Sequence, residues 1–233
     1  MKQLLKSVLK ALGLLEFAKA AYYRRKKTAR EVLGIRRRFW TTSPSLYRRV
    51  VKSGGEQYQL ERFLQNVKAG DTVWDVGSYV GIYSIFSSHP AGRDGAVYAF
   101  EPEPAAHALL NGNIALNGIG NVKPMRMALS DSNGKGRIYS ALTDAVAIHS
   151  LRHYASLSES GFEIDLATGD SLVQEGRVPP PDVVKVDVEG ADYHVLKGMR
   201  SALSRPECRF LLIEVHLSCY PASEQASGMS GRQ

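Results

Sequence analysis

The chain has 233 residues, 44% of them hydrophobic, with a formal net charge of +7 and two cysteines, Cys208 and Cys219. That is enough for one well-cored catalytic domain plus an appendage, so neither a disulfide framework nor a zinc-finger spacing is needed to hold it together. Reduced thiols fit a cytosolic protein.

The charge is unevenly spread. Fifteen of the 30 basic residues lie at or before Lys52, against two acids there, Glu16 and Glu31, so the remainder is mildly acidic. Residues 1–52 thus read as a basic arm attached to an acidic domain. Leu4, Leu5, Val8, Leu9, Leu12 and Leu15 recur at helical spacing, with Lys2, Lys6 and Lys10 on other positions. This is an amphipathic helix, too short and too interrupted by lysines to cross a bilayer. It suits packing on its own domain, peripheral contact with an anionic membrane surface or, less well, a nucleic acid. Ser53-Gly54-Gly55 marks the boundary, 53–221 the domain and 222–233 a flexible tail.

Within the domain, apolar runs alternate with helical patterns. Strands are predicted at Thr72–Val76, Ala96–Phe100, Val122–Leu129, Asp182–Asp187 and Phe210–Val215. Helices are predicted at Ile82–Ser88, Pro104–Asn117 and Ala191–Leu203. Strands joined by crossover helices define an α/β fold of Rossmann-like type, a mostly parallel sheet with helices on both faces. Gly136 to Gly176 is less regular and Ser-rich, with a short strand around Ile138.

The first strand runs into Asp75-Val76-Gly77-Ser78-Tyr79-Val80-Gly81, two glycines four apart ahead of a helix. Glycines let the backbone approach a ligand, and the helix start favours a carboxylate or phosphate. A dinucleotide turn needs a third glycine where Tyr79 stands, which argues against a nicotinamide-dependent oxidoreductase. Glu101 ends the second strand, where an acid accepts the ribose hydroxyls of a nucleoside.

In order, the DVG…G turn, Ala99-Phe100-Glu101-Pro102-Glu103-Pro104, the NGNIALNGIGNV segment, Ala128-Leu129-Ser130-Asp131, KVDVEGAD and LLIEVH resemble the FkbM family of S-adenosylmethionine-dependent O-methyltransferases across residues 71–217. The resemblance implies a class I methyltransferase fold, with Asp75, Gly77 and Gly81 facing the methionine part of the cofactor, Glu101 the ribose and Asp131 the adenine. It also implies methylation of a hydroxyl on a sugar, glycan or natural product. Departures are Ser78-Tyr79 for the family's Ala-Asn, and Gly169 in the family's Thr-Leu-Asp. After Leu217 only about sixteen residues follow, so the C-terminal antiparallel strand pair is expected to be missing or altered. A catalytically inactive remnant that at most binds S-adenosylmethionine is the alternative this raises. No motif for gripping a flipped base follows the fourth strand, which disfavours a nucleic-acid acceptor.

A hydroxyl acceptor needs a base within hydrogen-bond reach. Lys185, Asp187 and Glu189 alternate, as do Glu214 and His216 on the neighbouring strand, so these ends are expected to converge. Asp187 or His216 is the expected general base, with Glu189 and Glu214 orienting the acceptor. A divalent metal held by these groups would lower the hydroxyl pKa, although no ligand spacing demands one. His149 and His153 are read as loop residues.

Overall fold

A computed structural model describes residues 26–52, 56–141, 148–150, 161–188 and 190–215, together with 10, 14 and 21–23. The amphipathic helix of the arm, the glycine hinge, Glu189, His216 and the tail therefore lie outside the described residues, as does the expected change in the C-terminal strand pair.

The described chain runs β1 (Lys27–Val32), β2 (Ile35–Trp40), α1 (Pro44–Lys52), α2 (Gln57–Asn66), β3 (Thr72–Val76), α3 (Ile82–Ala91), β4 (Ala96–Phe100), α4 (Pro104–Leu116), β5 (Val122–Met125) and β6 (Ala128–Leu129). It continues through β7 (Gly134–Ala141), β8 (Ile148–Ser150), β9 (Gly161–Ala167), α5 (Gly169–Gln174), β10 (Val183–Val186), α6 (Asp192–Gly198), α7 (Arg200–Leu203) and β11 (Phe210–Ile213). The central sheet has the order β11-β10-β3-β4-β5, parallel at every pairing. Its direction of winding reverses between β3 and β10, and in such sheets ligands bind beyond the carboxyl ends of the strands at that reversal.

Strands buried on both faces read as apolar runs, and here successive residues feed two separate cores. Val73 and Val183 point into one, with Phe39, Leu60, Phe63, Phe86 and Leu110. Trp74, Val76, Val184 and Val186 point into the other, with Phe100, Leu129, Leu172 and Met199. Each fully buried side chain of this size stabilises the fold by about 1.5–3 kcal/mol relative to exposure.

The predicted third strand divides. β5 stays in the central sheet, whereas β6 joins β9, β7 and β8 in a second sheet, with Arg126-Met127 between. Strand β10 ends at Val186, and just past it the Asp187 N–H still donates to Val76 O at 3.0 Å. Lys185 and Asp187 lie together, Nζ 3.4 Å from Oδ2, as that alternation predicts, whereas Glu189 lies outside the described residues.

Residues 27–40, read from charge as part of the arm, form an antiparallel hairpin. Its two-residue turn, Leu33-Gly34, has positive φ at both positions, as a hairpin of right-handed twist requires. Val32 and Phe39 are 1% and 0% exposed and share the core of Phe86 and Val97. The outer edge of β2 is satisfied by α4: Asn113 Oδ1 accepts from Trp40 N–H at 2.8 Å, and Asn117 Oδ1 accepts from Arg38 N–H at 2.9 Å. Residues four apart on a helix and two apart on a strand meet in register. Helix α4 starts at Pro104, with Glu103 as its cap accepting from the Ala105 and Ala106 amides. The Gly169 departure has a packing cause: a Cβ there would meet Met199 Cγ at 2.5 Å and the Trp74 ring at 3.0 Å.

Candidate active site

The turn after β3 is built around backbone that side chains would obstruct. Gly77 has φ +76°, and a Cβ on it would stand 1.9 Å from the Asp187 carbonyl oxygen. Gly81 has φ +85°, and its Cβ would meet Leu110 Cδ1 at 2.4 Å. The Gly77 and Ser78 amides both donate to Phe100 O, at 3.1 and 3.0 Å, tying the turn to the end of β4.

Asp75 is fully buried. Its Oδ2 accepts from Ser84 N–H at 2.9 Å and from Ser84 Oγ at 2.5 Å, which fixes the first turn of α3. The parallel register pairs Asp75 with Lys185 on the same face of the sheet. Lys185 Nζ consequently lies 3.5 Å from Asp75 Oδ1 and 3.4 Å from Asp187 Oδ2, and donates to Gly77 O at 2.8 Å. Burial disfavours that charge, but the two carboxylates outweigh it and leave the ammonium pKa raised. Asp75 and Lys185 thus spend their charges inside the protein, holding the turn against β10.

Glu101 is 7% exposed. Its Oε2 accepts from Tyr79 N–H at 2.7 Å and its Oε1 from Glu103 N–H at 2.9 Å. Burial pushes its pKa up to about 7, against the pull of these two amides. Each carboxylate oxygen retains a second lone pair for a ligand hydroxyl.

Asp187 lies just past β10, and Glu214 just past β11, where Val186 pairs with Ile213 and Glu214 N–H donates to Val186 O at 2.9 Å. The structure therefore brings these two expected residues to adjacent strand ends. Beside them a cleft of about 230 Å³ is lined by Glu56, Tyr83, Lys185, Leu212 and Glu214 among others. Burial first, then Glu56 and Asp75, raise the Tyr83 pKa, so its hydroxyl stays protonated. Asp131 stands elsewhere, against α6: its Oδ2 is 3.1 Å from His194 Nδ1 and 3.0 Å from Lys197 Nζ. Hydrogen bonds from His194 and Lys197 hold its carboxyl at about 2. Among the described residues no group of three His, Cys, Asp or Glu side chains could hold a metal ion, and no helix is long and apolar enough to cross a membrane.

Sequence reasoning missed Ser84, Asn113 and Arg49. Asn113 is fully buried and also donates to Val80 O at 2.9 Å, linking the hairpin to the glycine turn. Arg49 approaches Asp187 Oδ2 at 3.8 Å. Its only signal in the sequence was membership of a basic stretch.

A parallel sheet of this order, with a glycine turn after the central strand and a buried acid ending the next, is a class I Rossmann-like methyltransferase fold. A family model of the methyltransferase FkbM domain matches residues 75–227. Hexuronic acid methyltransferase AglP of Haloferax volcanii is 35% identical over 191 residues, covering 82% of this chain and 75% of the relative. The 31-O-demethyl-FK506 methyltransferase FkbM of Streptomyces tacrolimicus is 28% identical, covering 64% and 67% respectively. Among solved structures, a SAM-dependent methyltransferase from Aquifex aeolicus is 28% identical with a TM-score of 0.27, the match covering 31% of this chain and 37% of that one. Precorrin-6y C5,15-methyltransferase from Geobacter metallireducens covers 73% of this chain and 68% of its own, at 14% identity and a TM-score of 0.44. The chain belongs to the FkbM methyltransferase family and is an S-adenosylmethionine-dependent methyltransferase.

Proposed function

We propose that the chain methylates an oxygen of a sugar or natural product at the carboxyl ends of β3, β10 and β11. The observation that carries the reading is the convergence, at the reversal point of the sheet, of a turn that excludes Cβ atoms with the buried Glu101 carboxylate. These features fit a nucleoside carrying an amino-acid arm: Gly77 lets the turn pack directly against the Asp187 carbonyl at the strand ends, and Glu101 supplies acceptors for vicinal hydroxyls. Gly77, Gly81 and Glu101 hold the cofactor, and Asp75 holds the turn that holds it. The relatives' named substrates, a hexuronic acid and 31-O-demethyl-FK506, support a sugar or natural-product acceptor.

When bound, S-adenosylmethionine supplies an electrophilic methyl group on a sulfonium. The protein's part is to align the acceptor oxygen and take its proton. Asp187 receives the proton of a hydroxyl acceptor, and Glu214, on the wall of the adjoining cleft, orients the acceptor.

Calorimetric titration of S-adenosylmethionine into the chain, beside Glu101→Ala and Asp75→Ala, tests the site. Saturable binding weakened by both substitutions is the expected result. Folded protein that binds nothing would leave the alternative of an inactive relative. Asp187→Asn should then retain cofactor affinity and lose turnover on hydroxyl acceptors; unchanged turnover would remove Asp187 from the base role.

A further inference from the structure

Two cations approach Asp187, just past the end of β10, and they are not equivalent. Lys185 is closed to ligands: its side chain is 5% exposed, and Gly77 O, Asp75 and Asp187 surround its ammonium. Arg49, from α1, is 34% exposed and lies 3.8 Å from Asp187 Oδ2, beyond hydrogen-bond distance. Among the described residues its five N–H donors make no hydrogen bond.

The guanidinium is nonetheless held in place. Its carbon stands 5.2 Å from the centroid of the Tyr79 ring, a cation–π contact. Tyr79 itself has φ +50°, a left-handed conformation that is strained for a non-glycine residue. The Tyr79 amide is bound by Glu101 Oε2 at 2.7 Å. A strained tyrosine, fixed by the acid that ends β4, therefore pins an arginine with unclaimed donors beside Asp187. Tyr79 is also one of the two residues, with Ser78, that depart from the family's usual turn, and Arg49 lies outside the family-matched segment 75–227.

We propose that Arg49 is a carboxylate-binding residue of this site, contributed by α1 and presented by Tyr79. A planar fork with free donors matches a carboxylate in a way an ammonium does not. Two ligands of the reaction can bring that carboxylate: the amino-acid arm of the cofactor, or an acidic sugar acceptor. The inference rests on the proposed cofactor site.

The test titrates wild type, Arg49→Ala, Arg49→Lys and Lys52→Ala with four probes. S-Adenosylhomocysteine carries the amino-acid carboxylate, whereas 5′-methylthioadenosine keeps the nucleoside without it; D-glucuronate and D-glucose are offered to the chain saturated with S-adenosylhomocysteine. If the cofactor is the source, Arg49→Ala weakens S-adenosylhomocysteine on the order of tenfold or more and leaves methylthioadenosine unchanged. If the acceptor is the source, wild type prefers glucuronate to glucose, and Arg49→Ala abolishes that preference without altering S-adenosylhomocysteine binding. Arg49→Lys keeps the charge and loses the fork, so it reads the same effect even if Arg49→Ala melts early. Lys52→Ala, on the same helix, should leave every affinity at its wild-type value. Wild-type discrimination in both Arg49 variants, in both pairs of probes, overturns the assignment of Arg49. A folded wild type that binds neither nucleoside sinks the cofactor site itself, and the assignment falls with it.

Discussion

Lys185 donates its ammonium to the carbonyl oxygen of Gly77 across 2.8 Å, joining the middle of β10 to the first residue of the glycine turn. The same nitrogen faces Asp75 at 3.5 Å and Asp187 at 3.4 Å. Removing the cation leaves a fully buried carboxylate without its counter-charge. Lys185→Met should therefore destabilise the chain by about 3–5 kcal/mol in urea denaturation. It should also loosen the turn and weaken S-adenosylmethionine binding. A variant as stable as wild type would show that the turn is held by other contacts.

Gly77→Ala should be more damaging than its size suggests. The added methyl would sit 1.9 Å from the Asp187 carbonyl oxygen, at a φ of +76° that alanine resists. Backbone must move on both sides, at a cost of at least about 3 kcal/mol, and the cofactor loses its approach to the turn. Thermal melting and calorimetric titration check the two effects. Cofactor affinity within threefold of wild type would refute the proposed approach.

Glu101 makes cofactor affinity depend on pH near neutrality. Its carboxyl titrates at about 7 in the unliganded fold, against 4.5 when solvated, because burial opposes ionisation. The folded chain holds this proton more tightly than the unfolded chain. The Glu101 contribution therefore makes stability fall as pH rises from about 4.5 to about 7. A ribose hydroxyl needs the ionised form as acceptor, so affinity should rise between pH 6 and pH 8. Glu101→Gln should bind more weakly and lose that pH dependence, as titrations at three pH values would reveal.

Asn113 couples the hairpin to the site. It accepts from Trp40 N–H at 2.8 Å and donates to Val80 O at 2.9 Å from a fully buried position. Asn113→Leu would strand one backbone donor and one acceptor, costing about 2–4 kcal/mol. Amide exchange should quicken in β2 and in the Gly77–Gly81 turn together. Faster exchange in β2 alone would mean that the turn does not depend on the hairpin.

The central strands, the glycine turn and the acid ending β4 were legible in the sequence because each is a local pattern. Apolar runs mark strands buried on both faces, positive φ demands glycine at Gly77 and Gly81, and Pro104 marks where α4 begins. The hairpin was not legible. Its strands carry Arg30, Arg36, Arg37 and Arg38, which read as solvated charge, yet Arg30 is 7% exposed beneath the rest of the fold. Asp187 and Glu214 were matched correctly as neighbours because parallel strands joined by a helix commonly lie side by side.

What the sequence by itself determined is the class of ligand site, since backbone freedom and a strand-end acid are properties of single positions. The tertiary structure alone decided how the charges there are shared. Strand register sets Lys185 beside Asp75 and closes that cation to ligands. The packing of α1 across the turn leaves the Arg49 guanidinium over Tyr79 with donors unclaimed among the described residues. Electrostatic interactions depend on separation and burial, and no spacing along the chain encodes either for residues 30 or 110 positions apart.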